Sequence, residues 1–386
     1  MENFTIISYP GARDNLLLSL TESRSRYMLP FGGKFRVVDF TLRNSFSSGA
    51  ASTVIYNNFE DGLEEYVQLY DMSGSEAEPP VRVVSREFSD LAFCHDLIME
   101  TNTGHYIIYN GDNPSIIDFT DIMDRFRKRR VDSLLFLLDV EGRASMAHKL
   151  LVTKKRTLLK VLNKALKENH QAPNIFEMII NIIVNAGIKR ETFSAHYWPI
   201  SNVPEYYNAS REVIWNPLVF NLLYKEKIIQ SKIQAEGYAL IGEHAHVSNS
   251  FMSDYCHING KVENSIIYPG VIIEERALVK DSIVLPFVRI GAGARIYRTI
   301  IDERTDRGPE NTFPDVGEGC NIGTRDDALK NSDFPRSLFS SITLLGKNCR
   351  IPERSNIGGA CYVGSGLGVD YFAAKRYLYD GLSVVK

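Results

Sequence analysis

The stretch Leu345-Gly-Lys-Asn-Cys-Arg-Ile351-Pro-Glu-Arg-Ser-Asn-Ile357-Gly-Gly-Ala-Cys-Tyr-Val363-Gly364 sets an aliphatic residue at every sixth position, most of them followed by glycine. Short strands wound around a triangular core require this spacing. Each aliphatic side chain points inward and stacks on its counterpart in the next coil, while the corners take small or turn-forming residues. The same interval joins Val316-Gly317 to Ile322-Gly323, Ile290-Gly291 to Ile296, Ile273 to Val279 and Ile241-Gly242 to Val247. The repeat predicts a parallel β-helix of hexapeptide type, with Asp302 to Asp315 and Thr324 to Ser341 leaving it as loops.

Before about Lys227 the pattern is different. Short β-rich runs (Phe4 to Ser8, Ser52 to Tyr56, His105 to Asn110, Leu134 to Leu138) alternate with helical stretches (Phe40 to Ser47, Gly62 to Tyr70, Ile117 to Arg130), which predicts an α/β domain with a mostly parallel sheet. The expected division is therefore 1–228 and 229–386. The chain has 386 residues, 44% hydrophobic and 24% charged, enough apolar material for two cores and too much for a disordered chain.

A net charge of −3 gives no global reason to expect nucleic acid or an anionic membrane as partner. The basic run Arg125, Arg127, Lys128, Arg129 and Arg130 reads as a solvated helix face. Ile175 to Ala186 is the most apolar later stretch, but it carries Glu177 and two asparagines and is shorter than the roughly 20 residues a bilayer needs. Five scattered cysteines without a C-x-x-C pair read as reduced thiols, and with no leader-like start the expectation is a cytoplasmic protein.

Two segments carry a family likeness. Arg24-Ser-Arg-Tyr-Met-Leu-Pro30-Phe-Gly-Gly-Lys34-Phe-Arg36-Val-Val-Asp39-Phe-Thr-Leu-Arg-Asn44, running on to Gly49, and Val262-Glu-Asn-Ser-Ile-Ile-Tyr-Pro-Gly-Val271 strongly resemble glucose-1-phosphate adenylyltransferase. The order of parts matches that family too. The resemblance implies a Rossmann-like nucleotidyltransferase domain followed by a left-handed β-helix, and a reaction that joins glucose 1-phosphate to the α-phosphate of ATP and expels pyrophosphate. Such catalysis is positioning plus charge neutralisation, and it needs a Gly-rich turn, carboxylates for Mg²⁺ and a cationic sugar-phosphate pocket.

Measured against that family, the catalytic parts are depleted. Where it shows Gly-Gly-x-Gly-Thr-Arg-Leu, this chain reads Ser8-Tyr-Pro-Gly-Ala-Arg-Asp14, with only Gly11 and with Pro10 lacking an N–H; Arg13 offers some charge. Gly111-Asp112 after the His105 strand fits the first metal and nucleotide motif, though Gly-Asp-Asn-Pro is also an ordinary turn sequence. The second motif, Tyr-Trp-x-Asp-x-Gly-Thr, aligns with Tyr197-Trp-Pro-Ile200-Ser-Asn202-Val203, so Ile200 replaces the second carboxylate. Lys164 lies loosely on the family's Glu-Lys-Pro motif with Asn163 in place of Glu, and reads better as an exposed helix lysine.

Loss of catalytic parts with survival of the scaffold resembles the non-catalytic, regulatory-type subunit that some bacteria pair with a catalytic one in glycogen synthesis. That resemblance implies an effector or phosphate site around Lys34, Arg36, Arg24 and Arg26, the first two pointing the same way on an extended segment; alternatively Arg36 pairs with Asp39 and Lys34 is solvated. It implies assembly with a catalytic adenylyltransferase subunit or with itself as a dimer or tetramer, a sugar-phosphate effector, and no required cofactor, with Mg²⁺ only if nucleotide binding persists. An active adenylyltransferase is the rival reading, and a hexapeptide acyltransferase a weaker one. His244, His246 and His257 lie where the latter would place a base but read as surface residues.

Overall fold

The structure is a computed structural model and describes residues 3–11, 15–71, 80–85, 90–168, 172–229, 231, 237–305, 313–325, 328–372 and 376–386. Internal contacts group the described residues into two units. One holds those of Met1–Arg13, Arg24–Leu29 and Arg36–Trp198, and the other those of Asp14–Ser23, Pro30–Phe35 and Pro199–Lys386.

The first unit is built on a seven-stranded sheet whose central strands, Phe4–Tyr9, Ser52–Asn57 and His105–Asn110, run parallel. Phe4–Tyr9 is buried along its whole length, as expected of a strand covered on both faces. Val81–Ser85 extends the sheet in parallel on one side, beyond Ser52–Asn57. On the other side Arg143–Lys154 runs antiparallel between His105–Asn110 and Ser133–Val140, which makes the sheet mixed. Lys189–Phe193 then pairs in parallel with the outer edge of Ser133–Val140.

The helices are α1 (Val37–Phe46), α2 (Leu63–Asp71), α3 (Leu91–Glu100), α4 (Phe119–Arg129), α5 (Lys155–Lys167) and α6 (Ile175–Asn185). Three of them, α3, α4 and α6, start where a side chain accepts from the free backbone donors of the first turn. Asp118 accepts from Thr120 and Asp121 ahead of α4, and Asn174 from Phe176 and Glu177 ahead of α6. The apolar face of α6, Ile175, Phe176, Ile179, Ile180 and Ile183, is buried in the core of this unit, so this most apolar run packs on protein. Among the described residues, no helix is long and apolar enough to cross a membrane.

The second unit is a left-handed parallel β-helix whose strands of two or three residues stack into three sheets, one of four strands and two of seven. The hexad aliphatics line its interior: Ile273, Val279, Ile290, Ile296, Val316, Ile322, Leu345, Ile351, Ile357 and Val363 are all buried in one cluster. Ile241 differs, being 55% exposed, because it lies on the terminal strand of its sheet and pairs on one side only, with His257–Ile258. Each of two corners takes left-handed backbone at one residue per coil, Asn249, Asn264 and Asp281 at one and Tyr255, Gly270 and Phe287 at the other. At Gly270 a Cβ would sit 2.5 Å from the Phe287 ring, so the glycine serves both the turn and the aromatic of the next coil.

The two predicted interruptions do leave the coils, between Thr299–Ile301 and Val316 and between Asn321–Ile322 and Thr343–Leu345, although 306–312 and 326–327 lie outside the described residues. The second is held by Asn331, which is buried, donates to the Ala360 carbonyl at 2.9 Å and accepts from the backbone of Phe334 at 2.8 Å. Helix α7 (Val203–Trp215) also belongs to this unit. Its Arg211 donates to the Asn264 carbonyl at 2.9 Å and pairs with Asp281 at 3.2 Å, gripping two successive corners of the coil. All five cysteines are buried and free.

Candidate functional site

In the first unit Phe4–Tyr9 and His105–Asn110 are parallel neighbours, with Tyr9 opposite Asn110. From the first strand the chain passes to Ser52–Asn57 on one side and only later returns to the other. The carboxyl ends of these two strands therefore mark the switch in winding direction where an open α/β sheet offers a crevice. Pro10-Gly11 and Gly111-Asp112 lie there.

The crevice is occupied by the protein's own hydrogen bonds. Asp112 is 2% exposed. One carboxylate oxygen accepts the Gly11 N–H at 2.8 Å, with the Arg26 guanidinium 3.8 Å away, and the other accepts the Asn113 amide at 3.1 Å. The Asp112 N–H is itself held by the Asn110 side chain at 3.1 Å. Gly111 has to be glycine, since a Cβ would fall 1.9 Å from the Ser8 Oγ, while its carbonyl accepts the Thr41 hydroxyl at 2.9 Å. Ser8 in turn bonds the Tyr27 hydroxyl at 2.7 Å, and burial, followed by the charge of Asp112, pushes the Tyr27 phenol well above its ordinary range.

Helix α6 closes the next side. Asn174 donates to the Pro10 carbonyl at 3.2 Å, the Tyr9 hydroxyl donates to Glu177 at 2.7 Å, and Glu177 pairs with Lys149 at 2.8 Å. The Tyr9 ring stacks on Phe176 with centroids 5.3 Å apart. None of Tyr9, Tyr27, Asn174 or Glu177 was singled out from sequence, and the only available signal was the polar run at the start of an otherwise apolar helix. Arg13 lies outside the described residues.

A two-carboxylate Mg²⁺ site does not fit these residues. Mg²⁺ demands near-octahedral oxygen ligation, and Asp112, whose two oxygens each accept an internal hydrogen bond, is the one carboxylate that the two motifs retain. Ile200, fully buried in the second unit, offers no ligand atom. The residues after it build a helix start: Asn202 caps α7 by accepting the Glu205 N–H at 2.9 Å, and the Glu205 carboxylate accepts the Ser201 N–H at 2.9 Å. Among the described residues no cluster of three or more His, Cys, Asp or Glu is arranged to hold a metal ion.

The four candidate effector cations have unequal settings. Arg24 is 3% exposed and Arg26 faces Asp112. Arg36 and Lys34 do not share an extended segment. Gly32 and Gly33, with φ of 61° and 93°, form a turn that includes Lys34, whereas Arg36 stands at the start of α1. The Arg36 guanidinium donates to the Met28 carbonyl, while the Arg36 backbone N–H donates to Asp39 at 2.9 Å. Asp39 also accepts from Tyr66 at 2.8 Å and Tyr70 at 2.7 Å, yet its burial outweighs these bonds and raises its pKa to about 6. Lys34 is half-buried.

Elsewhere, Lys164 is exposed and 3.8 Å from Glu168, and the three coil histidines are exposed. The basic run of α4 is less purely solvated than its sequence suggests, because Arg125 is only half-exposed and joins Arg129 in pairing with Glu191.

Comparison with known proteins agrees with this architecture. Residues 238–325 match a family model described as GlmU-like, C-terminal hexapeptide. Relatives named glucose-1-phosphate adenylyltransferase, from Bacillus thuringiensis (strain Al Hakam) and Bacillus cereus (strain Q1), are each 23% identical over 356 residues, covering 79% of this chain and 95% of theirs. The Bacillus anthracis protein of the same name aligns with the same identity and coverage. With a mixed α/β sheet, a left-handed hexapeptide coil and an alignment reaching across most of its length, the chain is a homologue of the glucose-1-phosphate adenylyltransferases.

Proposed function

We propose that this chain is a regulatory-type, non-catalytic subunit of glucose-1-phosphate adenylyltransferase in glycogen biosynthesis. It joins a catalytic subunit, or further copies of itself as a dimer or tetramer, and tunes the response to a sugar-phosphate effector. The observation that carries this reading is the state of Asp112, whose carboxylate is spent on Gly11, Asn113 and Arg26 instead of standing open to a metal. Ile200 supports it, since an aliphatic side chain supplies neither charge nor a ligand atom. Pro10 adds to it by removing a backbone donor from the turn where a triphosphate needs one.

Of the cations expected to hold an effector, Lys34 is the one whose turn leaves the ammonium group adaptable, because Arg36, Arg24 and Arg26 are more firmly fixed by their surroundings. The test is co-expression with a catalytic adenylyltransferase subunit of the same organism. A stable complex should form, and its activation by sugar phosphates should differ from that of the catalytic subunit alone and be blunted by Lys34→Ala in this chain. Failure to co-purify, or an unchanged effector response, contradicts the proposal.

A further inference from the structure

The amino ends of the same sheet are built unlike its carboxyl ends. A cavity of about 880 Å³ opens there, where Asn3 leads into the first strand, Gly104-His105 begins another, α4 ends and α5 begins. Its lining contributes five cationic side chains, Arg127, Arg130, Lys154, Lys155 and Arg156, and no acidic one. Among their counter-charges are Asp124, 3.1 Å from Arg127, and Asp132, 2.9 Å from Lys154 and also paired with Arg156. Both carboxylates are more than half exposed, so these pairs hold weakly and exchange readily for a better anion.

The start of α5 adds a second anomaly. Lys154 caps the helix without a side-chain hydrogen bond, Lys155 and Arg156 follow, and the first turn contains no acid. Cations there oppose the positive end of the helix dipole, an arrangement that costs stability unless an anion sits against them. Arg127 and Arg130 bring the charge of the end of α4 to the same cavity. The volume lies within the range of small-molecule sites and exceeds the needs of a single phosphate.

We infer that this cavity is a binding site for a small molecule carrying two or more phosphate groups. It is distinct from the Asp112 crevice, which lies at the far end of the strand His105–Asn110, about 17 Å away at the usual rise per residue. Arg130 and Arg156 supply forked donors to the phosphate oxygens, Lys154 and Lys155 supply charge, and Asp132 is the competing anion that the ligand displaces.

The test is calorimetric titration of the full chain with pyrophosphate at low salt, with fructose 1,6-bisphosphate as a second arm to distinguish adjacent from separated phosphates. Wild-type protein should bind pyrophosphate, the Arg130→Ser/Arg156→Ser double variant about tenfold or more weakly, and Asp132→Asn a few-fold more tightly. Lys34→Ala, the variant that probes the proposed effector cation, should bind pyrophosphate as the wild type does, so failure of one proposal is separable from failure of the other. Absence of binding, indifference to the double variant, or loss of binding in Lys34→Ala would overturn the inference.

Discussion

The two ends of the N-terminal sheet treat polar groups in opposite ways. At the carboxyl ends of its central strands the described polar groups are engaged internally: Asp112 bonds Gly11 and Asn113, Glu177 bonds Tyr9 and Lys149, and α6 is tied to the Pro10 carbonyl. At the amino ends five cations line an open cavity, where the paired carboxylates Asp124 and Asp132 are exposed and Lys155 donates to the Met99 and Thr101 carbonyls at 3.1 and 2.7 Å. A buried polar group without a partner costs about 1–3 kcal/mol, so internal pairing of the polar groups stabilises the crevice. An exposed cation bears no such cost and can wait for a ligand. On the reading proposed above, the place where a fold customarily binds need not be the place where a given chain binds.

The comparison is broken most forcefully at Asp112. In a working metal site, replacing the carboxylate removes activity and relieves charge crowding. Here Asp112→Ala takes an acceptor from the Gly11 N–H and the Asn113 amide and a counter-charge from beside Arg26, and should cost about 3–4 kcal/mol in denaturant unfolding. A variant as stable as the wild type would mean that the carboxylate is held in readiness for something else. Gly111→Ala should cost about 2–3 kcal/mol because its methyl group collides with Ser8, and Ser8→Gly in the same chain should recover much of that loss. No recovery would place the strain elsewhere.

A smaller effect is carried by pH. Asp39 holds its proton up to about pH 6 in the folded chain but only to about 3.8 when unfolded. Its contribution to stability is therefore complete below about pH 4 and is lost as pH rises through about 6, with a slope of no more than about 1.4 kcal/mol per pH unit. Asp39→Asn should remove that part of the pH profile when unfolding is followed from pH 4 to 7. An identical profile would contradict the assignment. Smallest of all, Lys164→Ala breaks only an exposed pair with Glu168 and should change stability by less than about 0.5 kcal/mol. A larger loss would restore Lys164 as a residue with work to do.

What could be read from the sequence followed the strength of its periodicities. The hexads outlined the coil almost residue by residue, because an interior aliphatic position recurs with each face, in several coils with a small buried Cys or Ala two residues before it. Ile241 departed from the pattern because the end of a stack has one neighbour instead of two. Strands such as Phe4–Tyr9 and His105–Asn110 emerged within a residue or two of their ends. The candidate site was legible mainly as an absence: Pro10, Asn202 and Ile200 stand where other chemistry would be expected.

What fills the gap was not legible. Tyr9 bonds across 168 positions to Glu177, Ser8 meets Tyr27 across 19, and Gly11 meets Asp112 across 101, and no local pattern announces such partners. The spacing argument for Lys34 and Arg36 also met its limit here, since two glycines with positive φ reverse the chain just before the segment that was expected to be extended. The cation cavity escaped notice for a related reason. Arg130 and Lys154 are far apart in sequence and converge only because the sheet brings the end of α4 beside the start of α5.

The most direct measurement of the central claim is pyrophosphate release by the purified chain alone, given ATP, glucose 1-phosphate and Mg²⁺, beside an Ile200→Asp variant whose folding is checked by its unfolding transition. The account predicts no turnover above background from well-folded wild-type protein, and none from Ile200→Asp, because restoring one carboxylate leaves Asp112 engaged and Pro10 in place. Turnover by the wild type at an ordinary enzymic rate would show that the crevice opens to substrates, and would make this chain an adenylyltransferase in its own right.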